Sequence, residues 1–200
     1  KQNTAYHLES IQSPYTDRKK NEDERLTLID HYIKILVERK DKFLGISNIL
    51  VVDAYFSKEK YVNAVCEQVG MEMICRLRTD ANLKYLYNGT QKGGKGRPKK
   101  YEGKIDLNNI DRRKIIFVME DEEMAIRSAR VYSVGLKREI RLVYVDFKNK
   151  KGQVVTTKLF YSTNVNRDPQ QVVKYYKARF QMEFIFRDAK QFAGLNTCES

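Results

Sequence analysis

The chain has 200 residues, 42% of them hydrophobic and 32% charged, a balance that suits a globular domain and excludes a disordered polymer. No apolar run reaches the roughly 20 residues a membrane-spanning helix needs, and Lys1–Leu8 lack the charged-then-apolar order of a secretory signal. Thirty-eight Lys and Arg against 26 Asp and Glu leave a net charge of +12, a field that favours a polyanion, for which nucleic acid is the commonest choice. The three cysteines, Cys66, Cys75 and Cys198, form no CxxC and leave an odd count, which fits a reduced intracellular protein.

In chain order, Ala5–Gln12 alternate loosely and read as a strand, which Ser13-Pro14-Tyr15 breaks. Between Glu22 and Lys42 the residues Leu26, Ile29, Ile33, Leu36 and Val37 recur at helical spacing, with Gly45 as the stop. Ile49–Val52 is a continuous apolar run suited to a strand covered on both faces, and it ends on Asp53. A second helix carries Tyr61, Val62, Val65 and Val69, with Ser57 as its candidate cap and Gly70 as its stop. Met71–Leu77 then reads as a strand. Helix, strand, helix, strand over residues 25–78 implies α/β order with a largely parallel sheet.

Residues 88–104 are glycine-rich and basic, too polar to pack. Short β-rich runs follow at Ile115–Met119, Ala129–Val134, Ile140–Phe147 and Val154–Tyr161, the last two joined by a turn at Asn149–Gly152. Asp168-Pro169-Gln170-Gln171 has the form of a helix start, with an acidic cap and proline at the first position. That helix is expected to run to about Phe192, where Gly194 would end it. The predicted division is therefore residues 1–87 as the first part of an α/β core, 88–165 as a basic loop and β-rich insertion, and 166–200 as a closing core helix.

Two places can carry chemistry. Tyr176, Arg179, Glu183 and Lys190 lie at offsets 0, 3, 7 and 14, and at about 100° per residue they share one helical stripe roughly 60° wide. Apolar residues from Val172 to Phe192 occupy most of the remaining circumference, as in a buried helix. An i,i+4 pair of Arg179 and Glu183 accounts for two of the four; it leaves Lys190 and Tyr176 unexplained. Asp53, directly after an apolar strand, either caps the following turn or stands at the carboxyl edge of the sheet, where α/β proteins place ligands. Were Asp53 and Glu183 brought together, their repulsion would call for a cation, and magnesium suits two carboxylates beside phosphate.

Tyr176-x2-Arg179-x3-Glu183-x6-Lys190, Leu50-Val-Val-Asp53-Ala-Tyr-Phe56, Arg76-Leu-Arg78 and Gly96-Arg-Pro-Lys-Lys-Tyr101 together resemble the bacterial insertion-sequence DDE transposases with a Y-R-E-K signature. The resemblance extends from about Ala5 to Ser200 and is densest over residues 160–195. It implies an α/β, RNase H-like mixed sheet with flanking helices and a β-rich insertion before the helix of the catalytic glutamate. On that mapping Asp53 and Glu183 are the second and third catalytic acids and ligands of Mg2+ (or Mn2+), while Tyr176, Arg179 and Lys190 contact DNA beside the scissile phosphate. The reaction implied is metal-dependent phosphodiester hydrolysis and strand transfer at transposon ends. Double-stranded DNA is the expected partner, a homodimer the expected assembly and the bacterial cytoplasm, at the nucleoid, the expected place, with no membrane involved.

The family's first aspartate lies on its first strand, whereas Ala5–Gln12 looks like the third. The resemblance thus implies a chain without the first two strands and the first acid, unable to cleave DNA by itself. A DNA-binding remnant without catalysis and an RNase H-like nuclease are the alternative readings. In the basic loop, Gly96-Arg97-Pro98 has the core of a minor-groove hook or is a solvated turn, and Arg97, Lys99 and Lys100 are expected to touch the DNA backbone without reading sequence.

Overall fold

The computed structural model describes residues 8, 9, 11, 27–91, 93, 96–107 and 109–192. Of the strand expected at Ala5–Gln12, Leu8, Glu9 and Ile11 are described and lie in no strand; the rest falls outside the described residues. Helix α1 (Leu28–Glu38) starts at Thr27, whose hydroxyl accepts from the Asp30 amide while the Asp30 carboxylate accepts from the Thr27 amide. This reciprocal box satisfies two donors that a helix start leaves open. A break at Arg39 separates α1 from the short α2 (Lys40–Leu44), which ends on Gly45.

Strand β1 (Ile49–Val52) leads into a single 3-10 turn, Ala54–Phe56. Helix α3 (Glu59–Asn63) then widens into a π turn over Ala64–Val69 and stops at Gly70, where φ is +84°, a conformation glycine takes without strain. The cap of α3 is Lys58 rather than the expected Ser57; the Ser57 hydroxyl is instead 3.0 Å from the Tyr161 hydroxyl.

Next come β2 (Glu72–Leu77), β3 (Leu83–Leu86), β4 (Tyr101–Lys104), β5 (Ile116–Glu120), β6 (Met124–Ser133), β7 (Arg138–Lys148) and β8 (Val154–Ser162). All eight join one sheet in the order β1-β2-β8-β7-β6-β3-β4, with β5 also paired to β6. The largely parallel sheet expected from residues 25–78 is corrected: β1 and β2 are parallel, and every other pairing is antiparallel. The helix between β1 and β2 provides the crossover a parallel pair requires, whereas short turns such as Asn149–Gly152 between β7 and β8 reverse the chain. Another correction concerns residues 88–104, whose last four form β4 against β3. The mixed α/β layers agree with the expected mixed sheet and its flanking helices.

Alternation along the strands builds two cores. On one face Met73, Cys75, Val131, Leu142 and Tyr161 pack with Ile29, Leu36, Val62 and Val65 of α1 and the α3 helix. On the other, Ile74, Ile126, Val143, Val145 and Phe160 are covered by Val172, Val173 and Tyr176 of α4 (Pro169–Ala178). Asp168 caps α4 by accepting from the amides of Gln170 and Gln171, with Pro169 at its first position, as expected.

The long final helix is broken. Helix α5 (Gln181–Phe192) begins after Arg179 and Phe180, whose amides reach back three residues, to Tyr176 O at 3.1 Å and Lys177 O at 3.2 Å. Three-residue bonds tighten a helix end. Nor is α5 buried: Met182, Phe184 and Phe186 are 48%, 51% and 57% exposed. Met182, Ile185, Phe186 and Ala189 share one side of α5 at about 100° per residue, yet Met182 and Phe186 on that side stand half in solvent. The expected stop at Gly194 lies outside the described residues. Among the described residues no helix is long and apolar enough to cross a membrane.

Candidate active-site edge

Strand β1 delivers Asp53 to the carboxyl end of the parallel pair. One position past the Val52↔Cys75 pairing, Asp53 stands level with Arg76. Its carboxylate accepts from the Tyr55 amide at 2.9 Å, capping the 3-10 turn, and its carbonyl accepts from the Cys75 thiol at 3.0 Å. Capping and a place at the sheet edge, set against each other by the sequence, are both properties of this residue.

Helix α4 brings the next members. Tyr176 is 6% exposed and stacks on Phe160 with ring centroids 4.6 Å apart. Burial raises its phenol pKa, against the pull of the Arg179 guanidinium and of Arg76. Arg179, at the junction of α4 and α5, lies over the Tyr176 ring at 5.6 Å and pairs with Glu183 at 3.5 Å. The expected i,i+4 pair therefore exists, although the helix between its members is not continuous. The Nε of Arg179 is buried without a hydrogen-bond partner.

The buried Cys75 thiol backs this edge through its bond to the Asp53 carbonyl. Burial pushes the Cys75 pKa up to about 12; the Asp53 charge adds to the rise and the Arg179 charge opposes it. The charges of Asp53, on the end of β1, and of Arg179, at the end of α4, are both felt at this thiol. Arg76 was quoted in the sequence only as a point of resemblance; its place in the register opposite the residue after β1 is what puts it at this edge. Glu183, 59% exposed at its side chain, adjoins the cluster through Arg179, and Lys190 is exposed on α5.

Carboxylate oxygens are the donors a hard divalent ion takes, so Asp53 and Glu183 fit Mg2+ or Mn2+ in type. In number they fall short, because no group of three or more His, Cys, Asp and Glu among the described residues is placed to hold a metal ion.

The basic loop lies elsewhere. Arg97, Lys99 and Lys100 are exposed, and Lys99 is tied to Gln91, which accepts from the Lys99 amide at 2.9 Å and donates to its carbonyl at 2.8 Å. The Tyr87 amide donates to Lys100 O at 3.0 Å, and the Lys99 ammonium sits 4.6 Å from the Tyr87 ring centre.

Compared with known families, residues 14–200 match the model described as a transposase DDE domain. A search of curated proteins returns no match.

Proposed function

This chain belongs to the transposase DDE domain family, and from that premise we propose that it serves the insertion-sequence branch with the Y-R-E-K signature, in phosphodiester hydrolysis and strand transfer at bacterial transposon ends. Membership carries the coarser statements: a mixed RNase H-like fold, a nuclease-type transposase activity, DNA as substrate, and the use of a divalent metal that DDE transposases share. What supports the finer reading is the spacing of Tyr176, Arg179, Glu183 and Lys190, with the Arg179 guanidinium set between the Tyr176 ring and the Glu183 carboxylate.

In this reading Asp53 and Glu183 would hold Mg2+ (or Mn2+) through carboxylate oxygens, and the ion would supply positive charge where phosphoryl transfer builds up negative charge. Arg179 is suited to a phosphate oxygen because its buried Nε has no partner and its planar fork matches a phosphate. Tyr176, held by Phe160 and α4, fixes where the guanidinium points. Lys190 adds a point charge on the exposed helix, and Arg97, Lys99 and Lys100 hold the DNA backbone away from the reacting centre. Duplex DNA is the partner, and a homodimer would present two transposon ends together.

In the intact transposase carrying this domain, Asp53→Asn and Glu183→Gln should each lower cleavage of transposon-end DNA by at least about 10^3-fold while leaving DNA affinity near that of the parent. Cleavage at close to the parent rate in either variant overturns the assignment.

A further inference from the structure

Beyond the N-terminal end of α4, the same face of the sheet carries a second cluster of charge. Residues directly opposite in an antiparallel pair share a face, so the register Arg130↔Arg141 sets two arginines side by side, next to Tyr132↔Glu139. Like charges in that position destabilise a sheet. Arg130 is relieved by Glu139, its Nε donating to Oε2 at 2.6 Å. Arg141 has no such relief: among the described residues its side chain enters no ion pair, and its Nε is buried without a hydrogen-bond partner. Burial, then the neighbouring Arg130, push its pKa down, yet a guanidinium keeps its proton in a protein. The charge therefore stays, unneutralised by the protein.

These two arginines line a groove of about 780 Å3 whose lining holds seven Lys or Arg against one acid, Glu139. Lys99 and Lys100 belong to it with no ion-pair partner among the described residues, whereas Lys114, Lys137 and Arg138 of the lining pair with Glu102, Glu59 and Glu67 outside it. A groove of this size, with cations spread along it, suits a chain of phosphates better than a single anion. We propose that the groove on β6 and β7, centred on Arg141, binds the phosphodiester backbone of duplex DNA as a site separate from the Asp53 edge. The anion site rests on the sheet; the choice of DNA among polyanions rests on the transposase reading above.

Its position suits a single duplex. Arg141 is level with Ser162, and Ser162 with Ile74, three strands from β1. At about 4.8 Å per strand and two residues of rise, Arg141 and Asp53 lie about 16 Å apart. That is about half a turn of B-DNA, so the two places fall within the span of one duplex, with α4 on the sheet between them.

The experiment is binding of a mixed-sequence duplex of about 30 base pairs, read by fluorescence anisotropy across a salt series, with thermal unfolding alongside. Arg141→Met should weaken binding about 3- to 10-fold and reduce the slope of log K against log[salt] by about 1. It should leave Tm unchanged or raised, because a desolvated like charge is gone; a merely structural arginine would lower it. Arg141→Lys should keep the parent slope. If Arg141→Met fails to fold, Arg130→Gln tests the same site from an exposed position, since it frees Glu139 to neutralise Arg141 and should reduce the slope likewise. Parent affinity and slope in a folded Arg141→Met or Arg130→Gln variant overturns the proposal. Binding is read without cleavage, so an inactive transposase that still binds DNA through Arg141 defeats the catalytic reading and leaves the groove standing.

Discussion

Glu72 illustrates what a largely buried carboxylate needs in this fold. Its side chain is 9% exposed, and it accepts from Arg167 Nε at 2.9 Å and from Ser162 Oγ at 2.7 Å. Burial pushes its pKa up, but the bonds from Arg167, Ser162 and Asn164 together outweigh that and hold it below the usual carboxylate range. A lowered folded value means that the contribution to stability is complete above the unfolded pKa of about 4.3 and is lost as pH falls through the folded value. Glu72→Gln leaves Arg167 without its counter-charge, so it should cost about 3 kcal/mol at pH 7 by urea unfolding. The same variant should show a flatter loss of stability below about pH 4.3 than the parent. Equal pH profiles for the two proteins would disprove the linkage. Asp30, held down to about 2 by Lys60 and by the Thr27 hydroxyl, titrates in the same direction and remains in both.

The two halves of the final helix differ in what holds them. Helix α4 has a capped start and three buried side chains, Val172, Val173 and Tyr176, so packing and capping act together. Helix α5 keeps its backbone bonds but leaves Phe184 and Phe186 half in solvent. Val172→Ala, at a position with no exposed surface, should therefore cost about 2 kcal/mol. Phe184→Ser should change stability by no more than about 0.5 kcal/mol. Denaturant midpoints for the two variants test this contrast, and a Phe184→Ser cost comparable to that of Val172→Ala would mean that α5 is packed. The sequence pattern could not separate the halves: their apolar residues look alike along the chain, and the difference is whether a sheet lies beneath.

Taken whole, the molecule carries +12, and its charges repel one another when no DNA is present. Added salt screens that repulsion, while it weakens DNA binding by reducing the gain from counterion release. Between about 0.05 and 0.2 M salt, Tm of the free protein should rise by about 2–4 °C while DNA affinity falls by at least about tenfold. A Tm that drops over this range, measured by calorimetry beside the binding titration, would show that the ion pairs outweigh the net charge.

Local chemistry alone determined the parts of the protein that depend on neighbours in sequence. Apolar periodicity marked α1, the helix after β1 and the strand Ile49–Val52, and Gly70 and Asp168 marked an end and a start. The spacing of Tyr176, Arg179, Glu183 and Lys190, with Leu50–Phe56, carried the family. What the tertiary structure decided depends on hydrogen bonds between distant segments: the antiparallel order of β3 to β8 within one sheet, the membership of Tyr101–Lys104 in it, and the break at Arg179. The pairing of Arg130 with Arg141 belongs here too. A strand's own alternation says which residues share its two faces, but the register with the partner strand says which side chains meet across it, and that register is set by the assembled sheet.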